Sequence, residues 1–553
     1  MTETQKTGTA VDTDSIVTAN VGRDVLRVLR GYGIDTVFGI AGTHNLEFYR
    51  HLPELGFREV TTRHEQGAGF AAGGWSLQTG LPGVVITTSG PGLLNVLSSV
   101  ATAYAESRPL VVLTPGPPRG EEFADIGSLH ETKDSEAAAA AVAAWARRVS
   151  SGQEAVDAVH EAFGLFRTGR PRPVVIEIPL DVLEGPSDCA PEQLEPVAAP
   201  APAEGDAELI AAAARLLESA ESPVILAGGG SLSAAADVRA LAERLGAPVL
   251  TTLNGRGVIP ESHPLALGAT LRMQAAAELA DSADVLLVIG SKVGVAELWT
   301  GPLRPRGSVI RVDRIESQLT KNLPAAIGIR GDSRAVLPAL LELIGTPEAD
   351  LDARAARAAE ARERIERESR AAHPEIVELC DDIAAAVPDD VILGGDSSQV
   401  CYYGTANHVP VQHPNSYLYM AAHATLGFGL PASIGAKLAA PRRPVVAVIG
   451  DGALMFSIQE LVTARQENLD LVVVCVDNGG YQEIEENEGS RGIPPIGVRL
   501  TQPDWAQLAA ACGWNGTDIA DRRELTPALR SALDRGGLHF IHVPFALYHS
   551  KDG

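Results

Sequence analysis

Apolar and polar positions alternate along this chain in two distinct patterns. Short uninterrupted runs rich in β-branched residues (TVFGI, GVVITTS, PLVVLTP, PVVIEIP, SPVILAGGG, DVLLVIGS, SVIRVD, PVVAVIGDG and LVVVCVDN) are separated by longer Ala/Leu-rich stretches of helical period. A run without polar alternation predicts a strand covered on both faces, and helices between such runs predict parallel sheets. The pattern breaks twice. Residues 186–205, PSDCAPEQLEPVAAPAPAEG, are rich in Pro and Ala, have no period, and read as a linker. Residues 348–373 are mostly Ala, Arg and Glu and predict an exposed helix joining two domains. The fold class is therefore α/β, with three doubly wound, mainly parallel-sheet domains over 1–185, 206–347 and 374–553. The first and third segments are alike in size and in β/α alternation.

Composition narrows the function. The net charge is −25, from 45 basic and 70 acidic residues, and no Lys/Arg cluster interrupts it, which excludes a nucleic-acid backbone as partner. No apolar run approaches the length of about 20 residues that a membrane span needs, so no membrane partner is expected. The first 15 residues are polar and lack the apolar core of a signal peptide. Cys189, Cys380, Cys401, Cys475 and Cys512 are scattered without a CxxC pair, which argues against zinc and disulfides and for a reducing cytoplasm.

The chemistry starts at VVAVIGDGALM (445–455), where a buried run stops at Gly450 and Asp451 stands between two glycines. Asp-Gly is ordinary turn chemistry. A second buried strand, however, ends in Asp477-Asn478-Gly479-Gly480, and neighbouring parallel strands present their carboxyl ends on one side. Asp451 then offers a carboxylate oxygen, Asn478 an amide oxygen and Gly480 its backbone carbonyl. Hard oxygens without sulfur or imidazole suit Mg²⁺ or Ca²⁺ held between protein and phosphates. Gly452, Ala453 and Leu454 would turn amide N–H groups at a helix start toward those phosphates.

GDG followed by an Asn-containing strand end resembles the thiamine-diphosphate motif. TLGFGLPASIGAKLA (425–439), TRHEQGAGFAAGGWSLQTG (62–80), TTSGPGLLN (87–95) and GRGVIPESHPLALG (255–268) extend the match in order along the chain. The whole resembles the acetolactate synthase, benzoylformate decarboxylase and pyruvate decarboxylase family. That resemblance implies a pyrimidine-binding domain, a central Rossmann-like domain and a diphosphate-binding domain, with thiamine diphosphate and Mg²⁺ as cofactors. FAD, bound in the central domain of some family members, has no decisive signature here and is not favoured. A homodimer or homotetramer is implied.

The resemblance also assigns roles. Glu65 in RHEQGAG would hydrogen-bond the pyrimidine and drive its amino group to deprotonate the thiazolium; alone, it reads equally as an acid favoured at a helix N-terminus. Leu426 would support the bent cofactor, with the Ala424 carbonyl accepting from the amino group. Ser397 or Ser398 in GGDSSQ would hold diphosphate, or serve as a plain N-cap. Two departures stand out: Asp477 replaces the first residue of the usual Asn-Asn pair, and the first loop reads GIAGTHN where a Pro is common before the second Gly. Thr43, His44 and Asn45 then face the reaction side. His44 is the candidate acid/base group for protonation after CO₂ leaves, because imidazole titrates near neutrality. His130 and His423 are its rivals, and Thr88 is a further substrate-facing candidate.

Beyond the metal motif, YQEIEENEGSRGIPPIGV places Tyr481, Glu485 and Glu488 on one face if it is helical from Tyr481. Like charges at i, i+3 cost about 0.2–0.5 kcal/mol unless a cation offsets them. They read as a solvated face or as a pocket for a cationic tail. RGIPPIGVRLTQPDW resembles the guanidino-oxoacid (2-ketoarginine) decarboxylase branch. The expected function is decarboxylation of a small 2-oxo acid to an aldehyde, with an acetolactate synthase-like carboligase as alternative.

Overall fold

The nine uninterrupted apolar runs become nine of the eighteen strands of three six-stranded sheets in a computed structural model whose described residues are 19–345 and 351–549. The first 15 residues lie outside that range. Every strand pair within the sheets is parallel. Val445–Gly450 is buried along its whole length, as a strand covered by helices on both faces must be. Numbered in chain order within each sheet, the first and third sheets share the strand order 2-1-3-4-6-5. The central sheet runs 6-5-4-1-2-3, the Rossmann order read from the far edge.

Three edge strands carry no apolar run: Arg58–Thr61, Trp145–Arg148 and Asn515–Asp518. An edge strand pairs on one side only and keeps part of its surface wet, so polar residues suffice. Their partners' runs place them; their own sequences do not.

Residues 186–205 carry only the short turn Pro191–Leu194 among regular elements. The Ala/Arg/Glu stretch does form a helix, Leu351–Ala372, but it is not exposed all round. Ala358, Ala361 and Ile365 are buried, and the Arg354 guanidinium, 5% exposed, donates to the Leu245 and Ala220 carbonyls of the central domain. Arginine stems cover apolar surface while their heads find carbonyls, so a charge-rich helix can still pack.

The first and third domains meet through two helices, Glu65–Thr79 and Gly429–Ala439. A Cβ at Gly74 would collide with the Ala432 carbonyl, and one at Gly435 with the Ala71 carbonyl. The small residues of GAGFAAGG and ASIGAKLA therefore let two backbones touch. That contact orients the helix beginning at Glu65 against the third domain.

Candidate active site

Strand register brings the chemistry of each domain to one edge. Gly450 pairs with Val476, so GDG and DNGG emerge side by side. Asp451 is 1% exposed, and its Oδ2 has no hydrogen-bond partner. The Asn478 amide atom facing it lies 3.1 Å from Asp451 Oδ1 and 3.1 Å from the Gly480 carbonyl oxygen. As oxygen, that atom completes three hard acceptors with no donor among them, an arrangement that a cation satisfies. Octahedral Mg²⁺ with bonds near 2.1 Å sets neighbouring oxygens about 3.0 Å apart. Gly479 (φ 87°) and Gly480 (φ 144°) adopt backbone open to glycine and turn the carbonyl inward. Burial, then the charge of Asp477, pushes the Asp451 carboxyl up to about 7. The residues thus fit a divalent cation: they lack the positive charge that would keep Asp451 ionised. Among the described residues no cluster of three His, Cys, Asp or Glu side chains offers an alternative metal site.

Gly452, Ala453 and Leu454 lie in the short helix Asp451–Leu454, all buried. A Cβ on Gly452 would press to 2.8 Å from the Tyr481 ring, which explains the second glycine of the motif. Ser398 Oγ accepts from the Gly450 amide at 3.3 Å, and Ser397 Oγ accepts from the Tyr402 hydroxyl at 2.9 Å. Neither serine side chain caps the helical turn that follows, which begins after Gln399.

Asp396, unassigned from the sequence, is fully buried and accepts from the Ser397, Gly427 and Gly429 amides. It thereby ties the loop bearing Ala424 and Leu426 to a strand end. Ala424 sits at φ 54°, left-handed for a residue with a Cβ, and Leu426 is half-buried with its carbonyl 3.4 Å from Gln66 Nε2. The sequence signal for Asp396 is GDS (395–397), an acid at the end of a buried strand, as at Asp451.

Asp477, the departure from Asn-Asn, has its own partners. It accepts from the Gly479 amide at 2.9 Å and from Trp505 Nε1 at 3.1 Å, and its Oδ2 is 3.2 Å from His542 Nε2. Burial opposes its charge, but hydrogen bonds from His542, Gly479 and Trp505 hold it below the ordinary carboxylate range. His542 lies 65 residues away in sequence, and no local pattern joins the two.

On the first domain, Gly39 pairs with Ile86, which sets GTHN beside TTSGPG. Glu65 opens its helix, 7% exposed, and Asn95 Nδ2 donates to its Oε2 at 2.9 Å. Glu460 of the third domain, fully buried, accepts from the Arg63 amide at 3.1 and 3.2 Å and so fixes the start of that helix. Asn45 is buried and internal to its loop, donating to the Ile40 carbonyl at 3.0 Å, whereas Thr43 is exposed. Thr88 Oγ1 is buried without a partner. His44 and His130 come together, with ring centroids 5.1 Å apart. His423 is exposed on the third domain.

The acidic helix runs Gln482–Ser490, with Tyr481 just ahead of it. Glu485 Oε1 accepts from Arg499 Nη2 at 2.6 Å, so the cation that offsets this carboxylate comes from within the chain. Glu488 Oε2 accepts from the Ile496 amide at 3.2 Å. Glu483, which the one-face reading passed over, accepts from the Tyr403 hydroxyl at 3.0 Å and from Gln399 Nε2 at 3.2 Å.

Comparison with known proteins matches three family models in order: thiamine pyrophosphate enzyme, N-terminal TPP binding domain, over 19–138; central domain, over 210–340; and C-terminal TPP binding domain, over 399–543. The chain is 38% identical to a probable 2-ketoarginine decarboxylase of Pseudomonas aeruginosa, over 96% of this chain and 94% of that protein. It is 31% identical to the acetolactate synthase isozyme 1 large subunit of Escherichia coli, over 94% and 92%, and 30% identical to a probable acetolactate synthase large subunit of Methanocaldococcus jannaschii, over 92% and 89%. An oxygen cradle at GDG and DNGG, a buried glutamate opening a helix on the opposite domain, and three matched domains in sequence together place the chain in the thiamine pyrophosphate enzyme family.

Proposed function

We propose that the chain decarboxylates a small 2-oxo acid to an aldehyde, using thiamine diphosphate anchored through Mg²⁺. The carrying observation is the pair of imidazoles, His44 and His130, brought together on the same domain as Glu65. When bound, the cofactor supplies a carbanion that adds to the ketone and accepts the electrons left by CO₂. The chain's part is to hold and move protons: Glu65 at the pyrimidine, His44 and His130 at the carbon that loses CO₂. A nearby acid favours protonation over attack on a second carbonyl. Asp451, Asn478 and Gly480 would hold Mg²⁺; Ser397, Ser398 and the amides of Gly450, Gly452, Ala453 and Leu454 would face diphosphate; and Ala424 and Leu426 would meet the pyrimidine and the bend.

The likeness to the probable 2-ketoarginine decarboxylase supports a guanidino substrate, with Glu485 and Glu488 at its cationic end. Glu485 would exchange Arg499 for the substrate, since an exposed pair is weak. Acetolactate synthases match over nearly the same length and support the carboligase alternative. Product analysis separates the two: CO₂ with aldehyde is expected from 5-guanidino-2-oxopentanoate, and a C–C coupled product overturns the reading. Glu485→Gln should lower kcat/KM on that substrate about tenfold and leave 2-oxohexanoate nearly unchanged.

Leu46, Leu94, Met455 and Phe456 are 45–51% exposed beside the two half-sites, which supports a homodimer or homotetramer in which the domains of two chains close one site. Five unpaired cysteines support a reducing cytoplasm, and no helix among the described residues is long and apolar enough to cross a membrane. A cavity of about 490 Å³ lies off the Asp451 site at the carboxyl ends of the central strands, lined by Gly229, Gly230, Lys292 and Arg314. FAD stays outside the reading, and a colourless purified protein is expected.

A further inference from the structure

Ser89 stands between the two imidazoles. Its Oγ lies 2.6 Å from His44 Nδ1 and 3.3 Å from His130 Nδ1, and the serine is 5% exposed. Three strand ends build the arrangement: His44 follows Thr36–Gly39, Ser89 follows Gly83–Ile86, and His130 lies in the loop after Leu110–Gly116. His130 adopts φ 62°, and its carbonyl packs so close to Gly90 that a Cβ there would collide with it. The backbone is thus held where the second ring meets the hydroxyl. Neither Nε2 makes a hydrogen bond within the described residues, so both point their second nitrogen away from Ser89, free for substrate or water.

A hydroxyl has one hydrogen to give and lone pairs to receive. Ser89 Oγ has no other side-chain or backbone partner among the described residues, so its one hydrogen goes to one of the two Nδ1 atoms. The other Nδ1 must carry its own hydrogen and donate to Oγ, or two lone pairs would face each other. One neutral ring therefore holds its proton on Nε2 and is an acid there. Its neighbour holds its proton on Nδ1 and presents a bare Nε2, a base. We propose that Ser89 locks His44 and His130 into opposite tautomers and makes them a single acid–base couple that delivers the proton replacing CO₂. The proposal rests on the decarboxylase reading and deepens it.

The protons balance along the couple. As the carbon–carboxylate bond breaks and CO₂ leaves, the Nε2–H ring gives its proton to the carbon, forming the C–H bond. Its Nδ1 takes the hydroxyl proton, Ser89 Oγ takes the proton from the neighbour's Nδ1, and the neighbour's Nε2 takes one from water. One water-derived proton is consumed per CO₂ released, as conversion of a 2-oxo acid anion to an aldehyde requires. Each ring ends in the tautomer the other began with, and exchange with water at the two open Nε2 atoms resets the couple. Burial and the neighbouring His130 hold His44 below the ordinary imidazole range, against the opposing charge of Glu184, which favours the neutral ring that a locked tautomer demands. Ser89 is a positioning residue here, acting through the two rings.

The test reads tautomers directly in the full-length holoenzyme with ring-¹⁵N histidine, using His44→Gln and His130→Gln to assign the two signals. Wild type should show one Nδ1–H ring and one Nε2–H ring at neutral pH. Ser89→Ala should abolish that opposition and slow aldehyde formation about tenfold or more. Ser89→Thr, which keeps the hydroxyl, should recover the tautomer pattern and most of the rate. Two rings of the same tautomer in wild type overturn the proposal. So does a Ser89→Ala protein that keeps both the opposed pattern and the rate, or one that loses the pattern without slowing. Because the tautomers are read without substrate, a chain that couples carbonyls instead would sink the decarboxylase reading while leaving the locked pair standing.

Discussion

The first and third domains thread their strands in the same order, 2-1-3-4-6-5, and present their loops at the same ends, yet they offer opposite chemistries. The first domain's strand ends and the helix start beside them carry groups that can give or take protons: Glu65, His44, His130 and the Ser89 hydroxyl. The third domain's loops carry oxygens that do not need to move them: Asp451, Asn478 and the Gly480 carbonyl, with glycines that clear space. On the proposed function, one topology would serve proton transfer on one side and charge neutralisation on the other, and the difference lives in what the strand ends carry. Mutations in the two domains should separate along that line.

The largest effect is expected at Glu65. Glu65→Gln keeps size and hydrogen-bonding reach but loses the acid, so turnover should fall roughly 10²- to 10⁴-fold while cofactor affinity changes little. Steady-state kinetics and cofactor titration check both halves; a large loss of affinity would erase the division between the domains. Asp451→Ala is the mirror case. It should weaken Mg²⁺-dependent cofactor binding by about a hundredfold or more, since even outer-shell partners of a metal contribute 10–100-fold. Calorimetric titration with and without Mg²⁺ reads it. If two chains share each site, mixing the two inactive variants should restore a fraction of activity. No recovery after demonstrated subunit exchange would confine each site to one chain.

Glu460→Gln probes the joint between the domains, with a smaller expected effect. Burial raises the pKa of its carboxyl, and hydrogen bonds from Thr463 and the Arg63 and His64 amides oppose that rise. An amide there keeps one acceptor but puts an NH2 where the other oxygen accepted, which weakens the hold on the Arg63 N–H and loosens the helix start that would aim Glu65. Turnover should drop about tenfold with Mg²⁺ affinity unchanged, because small misplacements of a catalytic group are costly. Equal losses in both measurements would mean the joint holds up the whole fold rather than aiming one residue.

Legibility followed sequence locality. Each apolar run was readable as a strand because burial on both faces leaves no polar position, and GDG with DNGG was readable because both lie at the ends of such runs. What escaped was contact between distant segments. Ser89 stands in a quoted motif, but its meaning depends on two histidines brought in by other loops. Asp396 ends a recognisable strand, yet its partners are amides, which carry no sequence signature. Glu485 and Glu488 read as a solvated face or as a pocket for a cationic tail, and neither reading includes Arg499, which lies 14 residues on, where helical periodicity no longer informs. The Leu351–Ala372 helix was read as exposed because composition cannot tell a solvated arginine from one capping carbonyls.

The smallest effect is the most discriminating about Asp477, which replaces the asparagine usual in the family. Asp477 and His542 are side chains 14% and 15% exposed, and Asp518 flanks His542 on its other nitrogen at 2.8 Å. Burial opposes the imidazolium, but Asp477 and Asp518 together raise the His542 pKa above its ordinary value. A raised histidine contributes stability that is full below the unfolded pKa and is lost as pH rises through the folded one. A lowered aspartate contributes stability present above its unfolded pKa and lost as pH falls through the folded one. The pair therefore stabilises fully between the ordinary carboxylate and ordinary imidazole ranges, and loses stability as pH rises through the folded His542 value. Asp477→Asn should cost about 1.5 kcal/mol at pH 6, and progressively less as rising pH deprotonates His542 in the wild type. It also removes the like charge beside Asp451, so cofactor affinity should hold or improve slightly. Melting curves across pH, paired with cofactor titration, give both readings. A loss independent of pH would mean the Trp505 and Gly479 hydrogen bonds matter and the ion pair does not. A fall in affinity would place Asp477 among the groups that hold the cofactor.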